Sequence, residues 1–143
     1  MVRGYGGGYN LKMATLNDAR AIAISLPEVH EKAGNTLSWS VGENRTFAWE
    51  RPFSKADLKK LGEHVPQGTI LAISVESLLV KDEMLEDETR NYLFTIPHFE
   101  GYPAVLVCLE EITFDQLKAL LLEAWQSSIS KKPKAKPKRS KQG

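Results

Sequence analysis

Residues 36–50 read TLSWSVGENRTFAWE, and their alternation decides the fold class. Leu37, Trp39 and Val41 alternate with Thr36, Ser38 and Ser40; Gly42 to Arg45 turns the chain; Phe47 and Trp49 then alternate with Thr46, Ala48 and Glu50. A period of two on either side of a turn is the pattern of a β-hairpin with one apolar face, because successive strand side chains point to opposite sides of a sheet. Three more apolar runs, residues 70–75, 92–96 and 104–109, have strand length, and the last two are joined by the turn-forming string HFEGYP.

Between and around these runs the period changes to that of a helix. Thr15 with Asp18, Ser54 with Asp57 and Thr113 with Gln116 each place a hydroxyl three positions before an acid or amide, the spacing that caps the free amides of a first helical turn. Leu16, Ala19, Ile22, Ala23 and Leu26 share one face until Pro27 stops the run. Leu58 and Leu61 follow Ser54, and Gly62 stands where a left-handed C-cap belongs. Leu117, Leu120, Leu121, Ala124 and Ser128 form the longest stripe, broadened by Trp125. Residues 76–88 permit a short helix with a heavily acidic, solvated face. The expected fold is α+β: a five-stranded, mostly antiparallel sheet with helices packed on one face and the hairpin's polar face left wet.

The chain has 143 residues and 42% hydrophobic content, enough for one core. A single domain is expected over residues 13–130, after a Gly-rich leader at 1–12 and before a basic tail at 131–143, both expected to be disordered. No apolar run reaches the length of a membrane span, and the start, MVRGYGGGYNLK, lacks the apolar stretch of a secretory signal. Cys108 is the single cysteine and reads as a small core residue, which leaves no internal disulfide and points to a reducing, cytoplasmic compartment. His30 and His64 have no ligand spacing, so no metal is expected. No phosphate-cradling loop, nucleophile elbow or Asp and His set occurs, so the expectation is a non-enzyme without cofactor, working as a monomer.

Charge is sorted along the chain. Residues 131–143, KKPKAKPKRSKQG, contain Lys131, Lys132, Lys134, Lys136, Lys138, Arg139 and Lys141 and no acid, whereas residues 1–130 carry twelve basic and eighteen acidic side chains, a net of −6. Lysines spaced by Pro and Ala build no core and remain available to neutralise phosphates, so nucleic acid is the first partner class; a solubilising tail and another anionic surface are the alternatives. Arg51, Lys55, Lys59 and Lys60 form a second basic group at the helix after Ser54, able to hold a phosphate backbone or simply to face solvent. His98, Phe99 and Tyr102, set among prolines and Gly101, could line a pocket, stack on a base, or only fold the loop.

Taken in order, residues 34–42 (GNTLSWSVG), 46–52 (TFAWERP), 57–62 (DLKKLG), 94–107 (FTIPHFEGYPAVLV) and 121–125 (LLEAW) resemble the MmcQ/YjbR family of small bacterial proteins, over about residues 13–127. The resemblance implies a fold similar to the CyaY or frataxin type. It also implies the DNA-binding role that family members carry by name, associated with β-hairpin wings. On that basis the hairpin at residues 41–46 would be a wing with Arg45 its base, and residues 97–103 match the family's signature loop. Glu43 at the hairpin tip and Glu50 after Trp49 leave that surface only weakly positive. The expected function is thus DNA binding by a non-catalytic protein whose tail gives non-specific affinity. The alternative is a protein- or small-ligand-interaction module.

Overall fold

A computed structural model describes residues 12–43, 45–63 and 65–130; residues 1–11 of the leader, His64 and the tail lie outside them, as does Asn44 in the sequence of the hairpin turn. Four helices and six strands follow in the order α1 (Leu16–Ser25), β1 (Val29–Ala33), β2 (Leu37–Val41), β3 (Arg45–Glu50), α2 (Lys55–Leu61), β4 (Ile70–Ser74), α3 (Leu78–Glu86), β5 (Leu93–Phe94), β6 (Ala104–Cys108) and α4 (Phe114–Ser130). The strands form one sheet in the order β1-β2-β3-β4-β6-β5, antiparallel at every pair. The fold is α+β, and no helix among the described residues is long and apolar enough to cross a membrane.

The three expected helix starts are closed by reciprocal bonds. Thr15 and Asp18 exchange backbone-to-side-chain hydrogen bonds of 3.0 and 3.1 Å, Ser54 and Asp57 of 2.9 and 3.1 Å, and Thr113 and Gln116 of 3.0 and 3.1 Å. Gly62 ends α2 with φ at 62°, the left-handed region its missing Cβ permits. Leu58 on that helix is exposed while Asp57 is buried, the reverse of its apolar reading, because Asp57 is held from inside by Ser54 and Arg51.

The sheet has six strands where five were expected. The sixth, β1, reads VHEKA; it is an edge strand on which no residue is buried, so no apolar alternation announces it. Its Glu31 faces the helix layer and accepts from the Trp39 indole at 2.9 Å and from Arg20 at 2.8 Å. Helices also occupy both faces. Helices α1, α3 and α4 cover a core containing Trp39, Phe47, Leu71, Ile73, Val105 and Leu121. On the other face, Phe53 and Leu61 around α2, with Ile96 and Phe99, cover Ile70, Ala72, Leu106 and Cys108. The reason is composition: β4 and β6 are apolar on both sides, and neither side tolerates water.

The hairpin departs from strict alternation as well. Trp39 pairs with Ala48 but Ser40 pairs with Thr46, so Phe47 is an extra residue in a β-bulge. Phe47 and Ala48 both face the helix layer, and Trp49 is turned to the opposite face.

Cys108 is fully buried, with its Sγ 3.0 Å from the Gln67 carbonyl oxygen, and burial pushes its thiol pKa up. In mildly alkaline buffer, Ellman's reagent should modify native Cys108 about a thousandfold or more slower than the denatured chain, a ratio set by the small fraction transiently open. Equal rates in the two states would place the thiol at the surface.

Candidate nucleic-acid interface

The bulge sets the chemistry of the outer sheet face. Trp49 emerges there beside the segment that follows β5, where Pro97–Phe99 form a single 3-10 turn and Gly101 takes φ at 76°. The Trp49 and Phe99 rings stack at 6.3 Å between centroids, and Tyr102 meets Phe99 edge-on at 5.6 Å and Trp49 at 6.5 Å. Phe99 is the buried hub of this cluster, whereas Tyr102 is 50% exposed and His98, 6.1 Å from Phe99 between ring centroids, faces solvent. Such contacts each contribute about 0.5–1.5 kcal/mol beyond area burial.

Arg51 closes the cluster from the α2 side. Its guanidinium carbon lies 5.4 Å from the Phe99 ring centre, and its Nη1 lies 3.0 Å from the Asp57 carboxylate. Burial opposes ionisation of Asp57, but hydrogen bonds from the Ser54 amide and hydroxyl and the Arg51 guanidinium outweigh it and hold the carboxyl below its ordinary value of 3.8. Arg51 is therefore committed to structure. Lys55, Lys59 and Lys60 are exposed on α2.

Lys81 holds the loop from the other direction. It is the buried residue of α3 facing the sheet end, and its Nζ donates to the carbonyl oxygens of Phe99 at 2.6 Å and Tyr102 at 2.7 Å. Burial pushes its pKa down, against the opposing pull of Asp82 and Glu100. Sequence reasoning read residues 76–88 as acids over a few apolar positions and passed over Lys81. Its signal was its spacing three residues before Met84, on the stripe that reaches the core.

A cleft of about 570 Å³ opens beside Trp49. Only Ala48, Trp49 and Glu50 of β3 have partners on β4, so the strand's first half runs on past the end of β4. Arg45, Thr46, Tyr102 and Pro103 line the cleft with Trp49, together with Ser38, Ser74 and, from α4, Ser128. Arg45 is half-buried in this wall and sits within reach of Gly42, so it does not stand out at the hairpin turn.

The sequence-derived candidates thus separate. Arg51, Phe99 and Tyr102 meet in one cluster with His98 at its margin, Arg45 joins it through the cleft beside Trp49, and Lys55, Lys59 and Lys60 lie on α2 of the same sheet face. The tail residues, from Lys131 to Lys141, lie outside the described residues. Among the described residues no group of three His, Cys, Asp or Glu side chains is placed to hold a metal ion.

Two substitutions probe the scaffold of this site. Asp57→Asn should cost about 2–3 kcal/mol in urea unfolding at neutral pH, as a nearly buried ion pair is broken. Because the folded pKa is depressed, the Asp57 contribution is present above the unfolded value of 3.8 and is lost as pH falls through the folded one. The gap between wild type and variant should accordingly close in acid. Lys81→Met should cost about 1–3 kcal/mol and speed amide exchange across residues 97–103; exchange confined to α3 would mean that the ammonium does not hold the loop.

Comparison with known proteins gives relatives of high identity. The chain is 43% identical over 116 residues to uncharacterized protein Rv2570 of Mycobacterium tuberculosis strain H37Rv, covering 79% of this chain and 87% of that one. It matches uncharacterized protein Mb2600 of Mycobacterium bovis to the same extent. The chain belongs to the family of these mycobacterial proteins. No protein-family model matches it, and no solved structure does.

Proposed function

We propose that this chain is a non-catalytic DNA-binding protein in which the basic tail supplies affinity and the outer sheet face supplies orientation. The observation that carries the reading is the sorting of charge. All seven basic residues of the tail are free of neighbouring acids in sequence, and Lys55, Lys59 and Lys60 are exposed on α2, on the face opposite α3. The acids Asp82, Glu83 and Glu86 crowd α3, so a polyanion approaching the outer face avoids them.

Phosphate contacts of this kind position a protein without reading sequence. Tyr102 and His98 add exposed rings at the edge of the same face, where unpaired bases could stack. The resemblance to the MmcQ/YjbR family at residues 94–107, which implies a CyaY-like fold and a DNA-binding role, supports this reading, and an antiparallel sheet carrying helices is compatible with that fold. A monomer in the reducing cytoplasm, with no cofactor, completes the proposal.

A second reading, a small-ligand module, is favoured by one observation, the cleft of about 570 Å³ beside Trp49, a volume within the usual range for ligand pockets.

Gel retardation of a duplex across a salt series tests the first reading, with the full chain and with residues 1–130. The full chain should bind at low salt, with log K falling against log salt at a slope no steeper than about −6, from roughly 0.9 per phosphate contact. Residues 1–130 should bind at least tenfold more weakly and with a shallower slope. Absence of retardation by the full chain in dilute buffer would end the nucleic-acid reading.

A further inference from the structure

We infer that the cleft beside Trp49 is a subsite for one nucleotide, with a planar base against the Trp49 and Tyr102 rings and its phosphate at Arg45; this deepens the proposed function and rests on it. The first observation concerns the indole. Trp39 donates its ring N–H to Glu31 at 2.9 Å and Trp125 donates to the Pro27 carbonyl oxygen at 2.9 Å, but the Trp49 indole N–H, unlike its backbone, has no hydrogen-bond partner among the described residues. An amphipathic ring at a cleft wall with its donor unused offers both a stacking surface and a polar contact.

The second observation is how the walls are built. The β-bulge at Phe47 turns Trp49 outward, and β3 runs on past β4, where Arg45 and Thr46 line the same cleft as Tyr102 and Pro103. Trp49 and Arg45 therefore both line one cleft from the same strand, Trp49 paired with Ser38 and Arg45 with Val41. Ser38 and Ser74 also line the cleft, and serine hydroxyls suit the edge of a base or a sugar. A guanidinium presents five N–H donors in a planar fork, so Arg45 can take phosphate oxygens alongside its other contacts.

The third observation is rigidity. Tyr102 is fixed from behind, because its carbonyl accepts from Lys81 and from the Ala104 amide at 2.8 Å, and Phe99 supports Trp49 by stacking. A wall that does not rearrange loses little entropy on binding. The shared chemistry, a heteroaromatic ring bearing phosphate, could come from a free nucleotide or from one unit of a single strand.

Heteronuclear NMR on the full chain tests this, using the Trp49 indole N–H resonance identified with Trp49→Phe. Titration with deoxyadenosine monophosphate should shift that resonance saturably, and deoxyadenosine or inorganic phosphate alone should bind about tenfold more weakly. Arg45→Gln should weaken the monophosphate about tenfold and leave deoxyadenosine unchanged, with unaltered Trp39 and Trp125 resonances showing an intact fold. A short oligodeoxyadenosine binding tighter than the monophosphate assigns the site to single strands; equal affinity assigns it to free nucleotide. If the Trp49 resonance ignores both while the full chain still retards duplex, the subsite is refuted and the proposed function stands. A monophosphate shift without retardation of any strand keeps the subsite and overturns the DNA reading.

Discussion

β4 and β6 lie next to each other inside the sheet with Ile70, Leu71, Ala72, Ile73 and all of Ala104–Cys108 buried, and that two-sided burial is the constraint from which the rest of the molecule follows. Fully burying a side chain of valine or leucine size is worth about 1.5–3 kcal/mol, so leaving either face of this strand pair wet would outweigh any polar contact in the structure. One face is met by the long α4 with α1 and α3. The other must be covered by what remains, and α2 with the turn at Pro97–Phe99 is what the chain supplies. The aromatic cluster is thus first a cover for Leu106 and Ala72, and only at its exposed margin, Tyr102 and His98, does it become available to a partner.

The edge half of the sheet obeys a different rule. On β1 and β2 the outer residues are His30, Lys32, Ser38 and Ser40, none of them buried, so nothing drives a helix to cover them. The boundary between the covered and bare halves runs along β3, and Trp49 stands on it. A large amphipathic ring suits such a boundary, because one part can pack on Phe99 while its polar edge remains wet. The cleft arises at the same boundary, since the partners of β3 on its β4 side stop before the strand does.

Elements specified by local chemistry were legible in the sequence. The three capping pairs, the stripe of α4 and the apolar strands at residues 70–75 and 104–109 depend on residues close together in the chain, and all stand close to where their patterns put them. What was not legible depends on pairing between distant segments. β1 forms because its backbone completes a ladder with β2, from Val29 with Val41 to Ala33 with Leu37, and a strand held by its neighbour need not be apolar itself. The bulge is likewise a property of how β2 and β3 register, invisible in either strand alone. The candidate site divides in the same way. The loop at residues 97–103 stood out by composition, but Lys81, eighteen and twenty-one residues from the two carbonyls it bonds, could be joined to it only through the fold.

Lys81 also shows which forces set the site's stiffness. Burying an ammonium carries a desolvation penalty of several kcal/mol, whereas each charge-assisted bond to a carbonyl returns about 1.5–3 kcal/mol, so two bonds roughly offset the burial, and the cost of removing the ammonium is chiefly that of stranding two carbonyls. Its effect is instead geometric. By bonding Phe99 and Tyr102 at once, the ammonium fixes the spacing of two carbonyls on either side of Gly101, the residue whose left-handed conformation would otherwise let the loop hinge. Phe99 in turn carries Trp49 on one side and Arg51 on the other, and Arg51 is tied through Asp57 to the start of α2. A chain of contacts therefore runs from α3 through the sheet end to α2, linking the cleft wall to the helix that bears Lys55, Lys59 and Lys60. Stability comes mainly from the apolar strands, and the costly buried cation holds the rings in one arrangement.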